Sequence, residues 1–222
     1  MATNKRLIRS NDEASAVIPT DSLLGFFNFD GNFNDETSQG NLVSNVNLFT
    51  TGKFGSAWDL RNSTATASRT TTNYGSILTS YTNTSQSYSV SIWFNLSLLG
   101  RRNILWYVDR TIGATAIEFS HNVNNGLTQM YVSAPASTFV GPSLTTGVWH
   151  HFASTYNGSG AITIHYLDGQ EMFNGVLNTS SLSSDCFSHN AATVGFRGLI
   201  DRSRFYSRVL TEAEVIALAN EQ

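Results

Sequence analysis

Apolar and polar residues alternate most cleanly at residues 88–96 (YSVSIWFNL), where Tyr88, Val90, Ile92 and Phe94 share one face and Trp93 joins the other. A period of two is the signature of a strand. Residues 149–156 (WHHFASTY) and 162–167 (ITIHYL) predict two more. The second runs into Asp168-Gly169, a pair that tolerates the positive φ of a tight hairpin turn. Residues 23–29 (LLGFFNF) form an apolar run suited to a strand buried on both faces, and residues 42–49 alternate again. Gly52-Lys53-Phe54-Gly55 reads as a turn into a strand at 57–60, and residues 61–86 as a long loop with one short strand. Residues 104–108 and 116–119, weaker segments around Met130, Val132 and Phe139, and residues 192–196 and 199–206 complete the set. One helix is predicted, at the end. Thr211 and Glu214 form a capping box, and Val215, Leu218 and Ala219 line an apolar stripe that can lie on a sheet.

About a dozen short strands separated by turns predict an all-β fold, a two-sheet antiparallel sandwich with a short C-terminal helix. Composition agrees. Of 222 residues 41% are apolar, with 14 Phe, 8 Tyr and 4 Trp for a core, and only 13% are charged. Ser, Thr, Asn and Gly fill the difference, residues that favour strands and turns over helix interiors. The length suits one domain. Residues 1–20 stand apart as an extended arm, with Lys5, Arg6 and Arg9 before Asp12 and Glu13, so the body is expected at 21–222.

A net charge of −3 supports no nucleic-acid footprint. No stretch approaches the roughly 18 apolar residues of a membrane span, and the opening MATNKRLIRSNDEA lacks a secretory apolar core. The expectation is a protein made in a cytoplasm, with no membrane insertion. Its sequons at Asn62, Asn83, Asn95, Asn157 and Asn178 then reflect composition. Cys186 is the single cysteine, so there is no internal disulfide and no cysteine-rich zinc site; it is expected to be a small buried apolar residue.

Four segments, in order, resemble the laminin-G-like jelly-roll family, of concanavalin A-like type. They are residues 24–35 (LGFFNFDGNFND), residues 52–57 (GKFGSA), residues 88–94 with the later 149–156 and the Asp168-Gly169 hairpin, and residues 198–211 (GLIDRSRFYSRVLT). The resemblance covers about residues 23–219 and implies a jelly roll whose closing strand lies beside its first. It implies function only coarsely, since that sandwich carries lectins, adhesins, enzyme accessory modules and virion proteins. The closing strand departs from the family in having Arg202 where a second acid usually follows the Asp. The arm is similar to the openings of some structural proteins of tailed bacteriophages.

Enzymes of this fold that cleave glycans resemble one another in a Glu-x-Asp-x-x-Glu strand, which sets paired carboxylates on one face. No such string occurs: Glu118 is followed by Phe119-Ser120-His121, and Glu171 by Met172-Phe173. The chain is therefore expected not to be an enzyme and to have no catalytic residues. His150 and His151, adjacent on a strand, point to opposite faces and cannot chelate one ion; His121, His165 and His189 lack an obvious partner. Asp30, Asn32 and Asp35, with Asp201 from the closing strand, are the candidate oxygen ligands of a structural calcium, the one cofactor considered; the alternative is turn chemistry. Trp58, Trp106, Tyr107 and Tyr131 are candidate platforms for a sugar, while Trp93 and Trp149 are assigned to the core.

The leading expectation is a non-catalytic structural protein of a bacteriophage virion, in capsid decoration or in a fibre or tail. Lys5, Arg6 and Arg9 would attach it to other virion proteins, and self-association into a homo-oligomer is expected. The alternative is a carbohydrate-binding or adhesion module with glycans as partners, and the third reading is a glycan-active enzyme.

Overall fold

The alternation at residues 88–96 builds the centre of the larger sheet. In the computed structural model the chain is described at residues 17–38, 40–42, 44, 47–62, 86–98, 103–110, 115–121, 128–133, 136–140, 142–158, 162–176, 182–187 and 196–222. The segments of 103–140 and 182–187 are described by backbone pairing and, among side chains, by Leu105 alone. Thirteen strands and one helix are present among the described residues: β1 (Leu23–Phe27), β2 (Phe49–Thr51), β3 (Ser56–Asp59), β4 (Tyr88–Leu96), β5 (Asn103–Arg110), β6 (Thr115–His121), β7 (Thr128–Ser133), β8 (Ala136–Val140), β9 (Trp149–Asn157), β10 (Ile162–Leu167), β11 (Gln170–Val176), β12 (Leu182–Phe187), β13 (Gly198–Tyr206) and α1 (Glu212–Ala219).

The larger sheet runs β11-β10-β9-β4-β13-β3-β2, and β1 pairs with the second half of β13 beside β3. The smaller runs β12-β5-β6-β7-β8. All pairings are antiparallel. The closing strand does lie against the first. One face of the larger sheet turns Tyr88, Val90, Ile92, Phe94, Phe152, Tyr156, Leu167, Ile200 and Phe205 into the core, with Phe27, Phe29 and Trp58 from the opening segments. Leu105 joins that core from the smaller sheet.

The opposite face of the larger sheet is covered too. Val215 and Leu218 of α1 pack with Ala153, Tyr166, Tyr206 and Leu210, and Ile18 and Leu23 close the edge. The capping box forms as the sequence predicts: the Glu214 amide donates to the Thr211 hydroxyl (3.3 Å) and the Thr211 amide to the Glu214 carboxylate (2.8 Å). Ser89 ties the strap down, donating to the Arg208 carbonyl (2.8 Å) and accepting from the Leu210 amide (2.9 Å).

Several expectations are corrected. The first strand stops at Phe27 because Phe29 sits at φ 57, in the left-handed region. Residues 42–49 give a strand only from Phe49 among the described residues, since the Leu42 amide bonds the Phe33 carbonyl and not a sheet neighbour. β12 was not anticipated, because LSSDCF has no clean period. Trp149 is half-buried at the start of β9, not core. Docking begins before residue 21: Pro19 is buried and its carbonyl accepts from the Tyr206 hydroxyl (3.1 Å). The rest of the arm, with Lys5, Arg6 and Arg9, lies outside the described residues, as do His189, the short strand expected within 61–86 and all of the expected strand at 192–196 but Phe196.

Arg208 joins the two ends of the domain. It donates to both oxygens of Glu214 (2.6 and 2.8 Å) and both of Asp21 (2.8 and 2.7 Å). The Arg208 hydrogen bonds hold the Glu214 carboxyl down at about 2, against a usual 4.5. A depressed folded-state pKa means that the unfolded chain binds the proton first. The contribution of Glu214 is therefore present above about pH 4.5 and is lost as pH falls toward about 2. Glu214→Gln is expected to flatten that part of the acid transition, read from urea unfolding midpoints across this range. An unchanged acid profile would show that the clasp does not couple to folding.

Candidate functional site

Carboxylates fasten the opening segments to the closing strand through backbone amides. Asp201 Oδ2 accepts from the amides of Lys53 and Phe54 (2.9 and 3.0 Å), and its Oδ1 from that of Arg202 (2.8 Å). Burial raises the Asp201 carboxyl pKa and outweighs these three bonds. Asp30 reaches the same turn, where its Oδ1 accepts from the Ser56 amide (2.7 Å). Gly52 has to be glycine here, since a Cβ would meet Asp201 Oδ2 at 2.5 Å. Asp35 is filled by its own loop, accepting from the amides of Phe26, Thr37 and Gly40 and from the Thr37 hydroxyl. Asn32 accepts from the Asn34 amide. The four expected calcium ligands thus face N–H and O–H donors, the wrong polarity for a cation, and among the described residues no three acidic, His or Cys side chains gather as a metal site. Turn chemistry accounts for these oxygens.

Arg202, where the family pattern has a second acid, occupies a β-bulge at φ 31. The bulge lets Asp201, Arg202 and Arg204 all serve the face that carries Trp93. Arg202 stacks on Phe54 (3.7 Å), Lys53 lies over Trp93 (4.4 Å), and both arginines hold Glu221 just beyond α1 (2.6–2.7 Å). An acid at position 202 would break that clasp.

The candidate platforms separate on the register. Trp58 is 2% exposed and stacked on Phe29 (5.8 Å), so it is core and not a sugar platform. Trp106 lies in a row across the smaller sheet with Phe187, Phe119, Met130 and Phe139. The next row, on the opposite face, runs Cys186, Tyr107, Glu118, Tyr131 and Thr138. Tyr107, Glu118 and Tyr131 thus share one row of the smaller sheet, and Ser120 pairs with Gln129 two residues along. Sequence reasoning found the tyrosines but not the glutamate between them, because only register joins three strands.

His150 and His151 do face opposite ways: one ring meets Phe94 and the other Trp93. His151 Nε2 bonds the Ser91 hydroxyl (2.8 Å), but both residues are fully buried and His151 Nδ1 has no partner. Burial drives the His151 pKa down to about 3. The pair resembles a nucleophile and its base in distance alone, since among the described residues no carboxylate bonds the ring and both side chains are buried. Asp168, lowered in pKa despite its burial by hydrogen bonds from His150 and the His151 amide, fixes the β10–β11 turn instead.

The chain is an antiparallel jelly-roll sandwich with a helical strap on one face. The model of one family, Laminin_G_3 of the concanavalin A-like lectin/glucanases superfamily, matches residues 68–216, and the chain belongs to that family. The domain extends beyond the match, because β1, β2 and β3 belong to the same sheet. No curated protein matches the sequence. Among solved structures, the chain is similar to domain 4 of AbnA, a GH43 extracellular arabinanase from Geobacillus stearothermophilus, in complex with arabinotriose. There the identity is 22% over 90% of this chain and 98% of that one, with a TM-score of 0.67. It is also similar to the binding domain of Paraclostridial Mosquitocidal Protein 1 (18% identity, 90% and 52% coverage, TM-score 0.66). A third likeness is to Trypanosoma rangeli sialidase in complex with sialic acid (18%, 92% and 33%, 0.63), of which this chain spans about a third. At these identities the likeness is one of fold.

Removing the Asp201 carboxylate leaves the Lys53 and Phe54 amides without their acceptor. Asp201→Ala is expected to cost about 2–4 kcal/mol of unfolding free energy, and Asp201→Asn less, by urea denaturation. Equal stability of all three proteins would show that the turn is held by something else.

Proposed function

We propose that this protein is a non-catalytic glycan-binding module, and that the row of Tyr107, Glu118 and Tyr131 faces outward as its binding face. The observation that carries the reading is that register. Tyr107, Glu118 and Tyr131 are paired across three adjacent strands, and Ser120 pairs with Gln129 two residues along. Phenol rings offer flat apolar surface to the C–H face of a sugar, and the glutamate accepts from adjacent hydroxyls. Sites of this kind combine aromatic area with a few placed polar groups. The family supports the reading, and so does a similar domain whose structure holds arabinotriose.

Catalysis is not part of the proposal. Asp35, Asp201 and Glu214 are committed to turns and clasps, and the Ser91–His151 pair is buried inside the sheet. The virion reading rests on the arm, whose first sixteen residues lie outside the described residues, and neither the arabinanase, the mosquitocidal protein nor the sialidase is a virion part.

A glycan array with the full chain tests the reading. Binding to at least one glycan class is expected. Tyr107→Ala with Tyr131→Ala is expected to weaken it about 30-fold or more, the cost of truncating aromatic anchors, with little change in thermal unfolding. Silence across the array, or unaltered binding by the double variant, would remove this face from the account.

A further inference from the structure

The inward face of the larger sheet carries polar groups that its core does not use. Ser154 of β9 and His165 of β10 are directly opposite each other, and Thr163 lies two residues along β10 on the same face. All three are 0% exposed, and the Ser154 hydroxyl, the Thr163 hydroxyl and both nitrogens of His165 have no hydrogen-bond partner among the described residues. An isolated polar atom in a core costs stability, and three adjacent residues with four such atoms are beyond what packing explains. Aromatic rings wall the strip. His165 lies between Phe152 (5.9 Å) and Phe173 (5.5 Å), and Tyr156 pairs with Thr163.

The strip sits one strand in from an edge. β11 ends the sheet, and its half-buried Phe173 is opposite His165 while Gly175 is opposite Thr163. The Phe173 ring folds over Gly175 so closely that a Cβ there would meet it at 2.6 Å. Glycine at 175 therefore lets Phe173 close over the strip from the open edge.

We propose that Ser154, Thr163 and His165 form an internal binding site, gated by Phe173, for a neutral hydroxyl-bearing molecule of the sugar or polyol class. The ligand is neutral because no charged group among the described residues acts on the site: burial holds the His165 imidazole uncharged, its pKa down at about 3. A neutral imidazole offers one donor and one acceptor, and the two hydroxyls offer both, so the complement must also donate and accept. Hydroxyl groups do that, and the ring walls suit the C–H faces of a sugar. The choice of sugar rests on the glycan-binding reading; the site itself is separate from the Tyr107–Glu118–Tyr131 face. Internal water has the same hydrogen-bonding chemistry and is the other source of it.

The test uses the full chain carrying Tyr107→Ala and Tyr131→Ala, so that the outer face contributes nothing. Its histidines are labelled with ¹⁵N and titrated with D-glucose, D-galactose, L-arabinose and glycerol. The expected result is a saturable shift of the His165 ring signals by at least one of these. Thr163→Val, which keeps the shape and removes the hydroxyl, should weaken that binding about 10-fold or more. Gly175→Ala should displace Phe173 and speed exchange of the bound sugar. His165 signals indifferent to every probe, with only slowly exchanging water at the strip, would overturn the proposal. Unchanged affinity in Thr163→Val would overturn it too. A parallel titration of the unsubstituted chain separates the two readings, since binding lost only with the tyrosines belongs to the outer face.

Discussion

The structure depends on where β13 lies. It is the last strand, yet it occupies the middle of the larger sheet, pairing with β4 along one side and with β3 and β1 along the other. A central strand that arrives last closes contacts of very long sequence separation, so the sheet cannot be complete until the chain is. Asp201 makes that closure specific. Its oxygens take the amides of a turn about 150 residues earlier in the chain, which neither hydrophobic patterning nor strand propensity would select.

Closure at β13 also sets what each face can do. The bulge at Arg202 turns three charged positions of β13 toward the strap side, where Glu221, Phe54 and Phe26 receive the two arginines. With α1 and the segment from Ile18 laid over the same surface, the larger sheet is buried on both sides.

Much of this was legible in the sequence wherever burial is one-sided. Strands β4, β9 and β10 follow from their alternation, the β10–β11 turn from Asp168-Gly169, and α1 from its capping box. What failed did so for physical reasons. Trp58 was a candidate platform because a lone aromatic near a turn looks the same whether it faces solvent or core, and only Phe29 stacked on it and Phe33 packed edge-on decide. The acidic loop read equally well as a calcium site, since Asp and Asn oxygens serve cations and amides alike; the distribution of N–H donors settles the use. The Tyr107–Glu118–Tyr131 row could not be read at all, because register across three strands is a tertiary property. Thr163 and His165 looked like ordinary strand residues, and their lack of partners appears only when the neighbouring strands are in place.

Native-state hydrogen–deuterium exchange, resolved by residue, tests the central place of β13 most directly. If β13 is the keystone, the amides of Ile200, Arg204 and Phe205 exchange only through global unfolding, together with those of Val90 and Ile92 and far more slowly than the edge strands β2 and β11. Exchange of β13 at edge-strand rates, while β4 and β9 stay protected, would contradict the account.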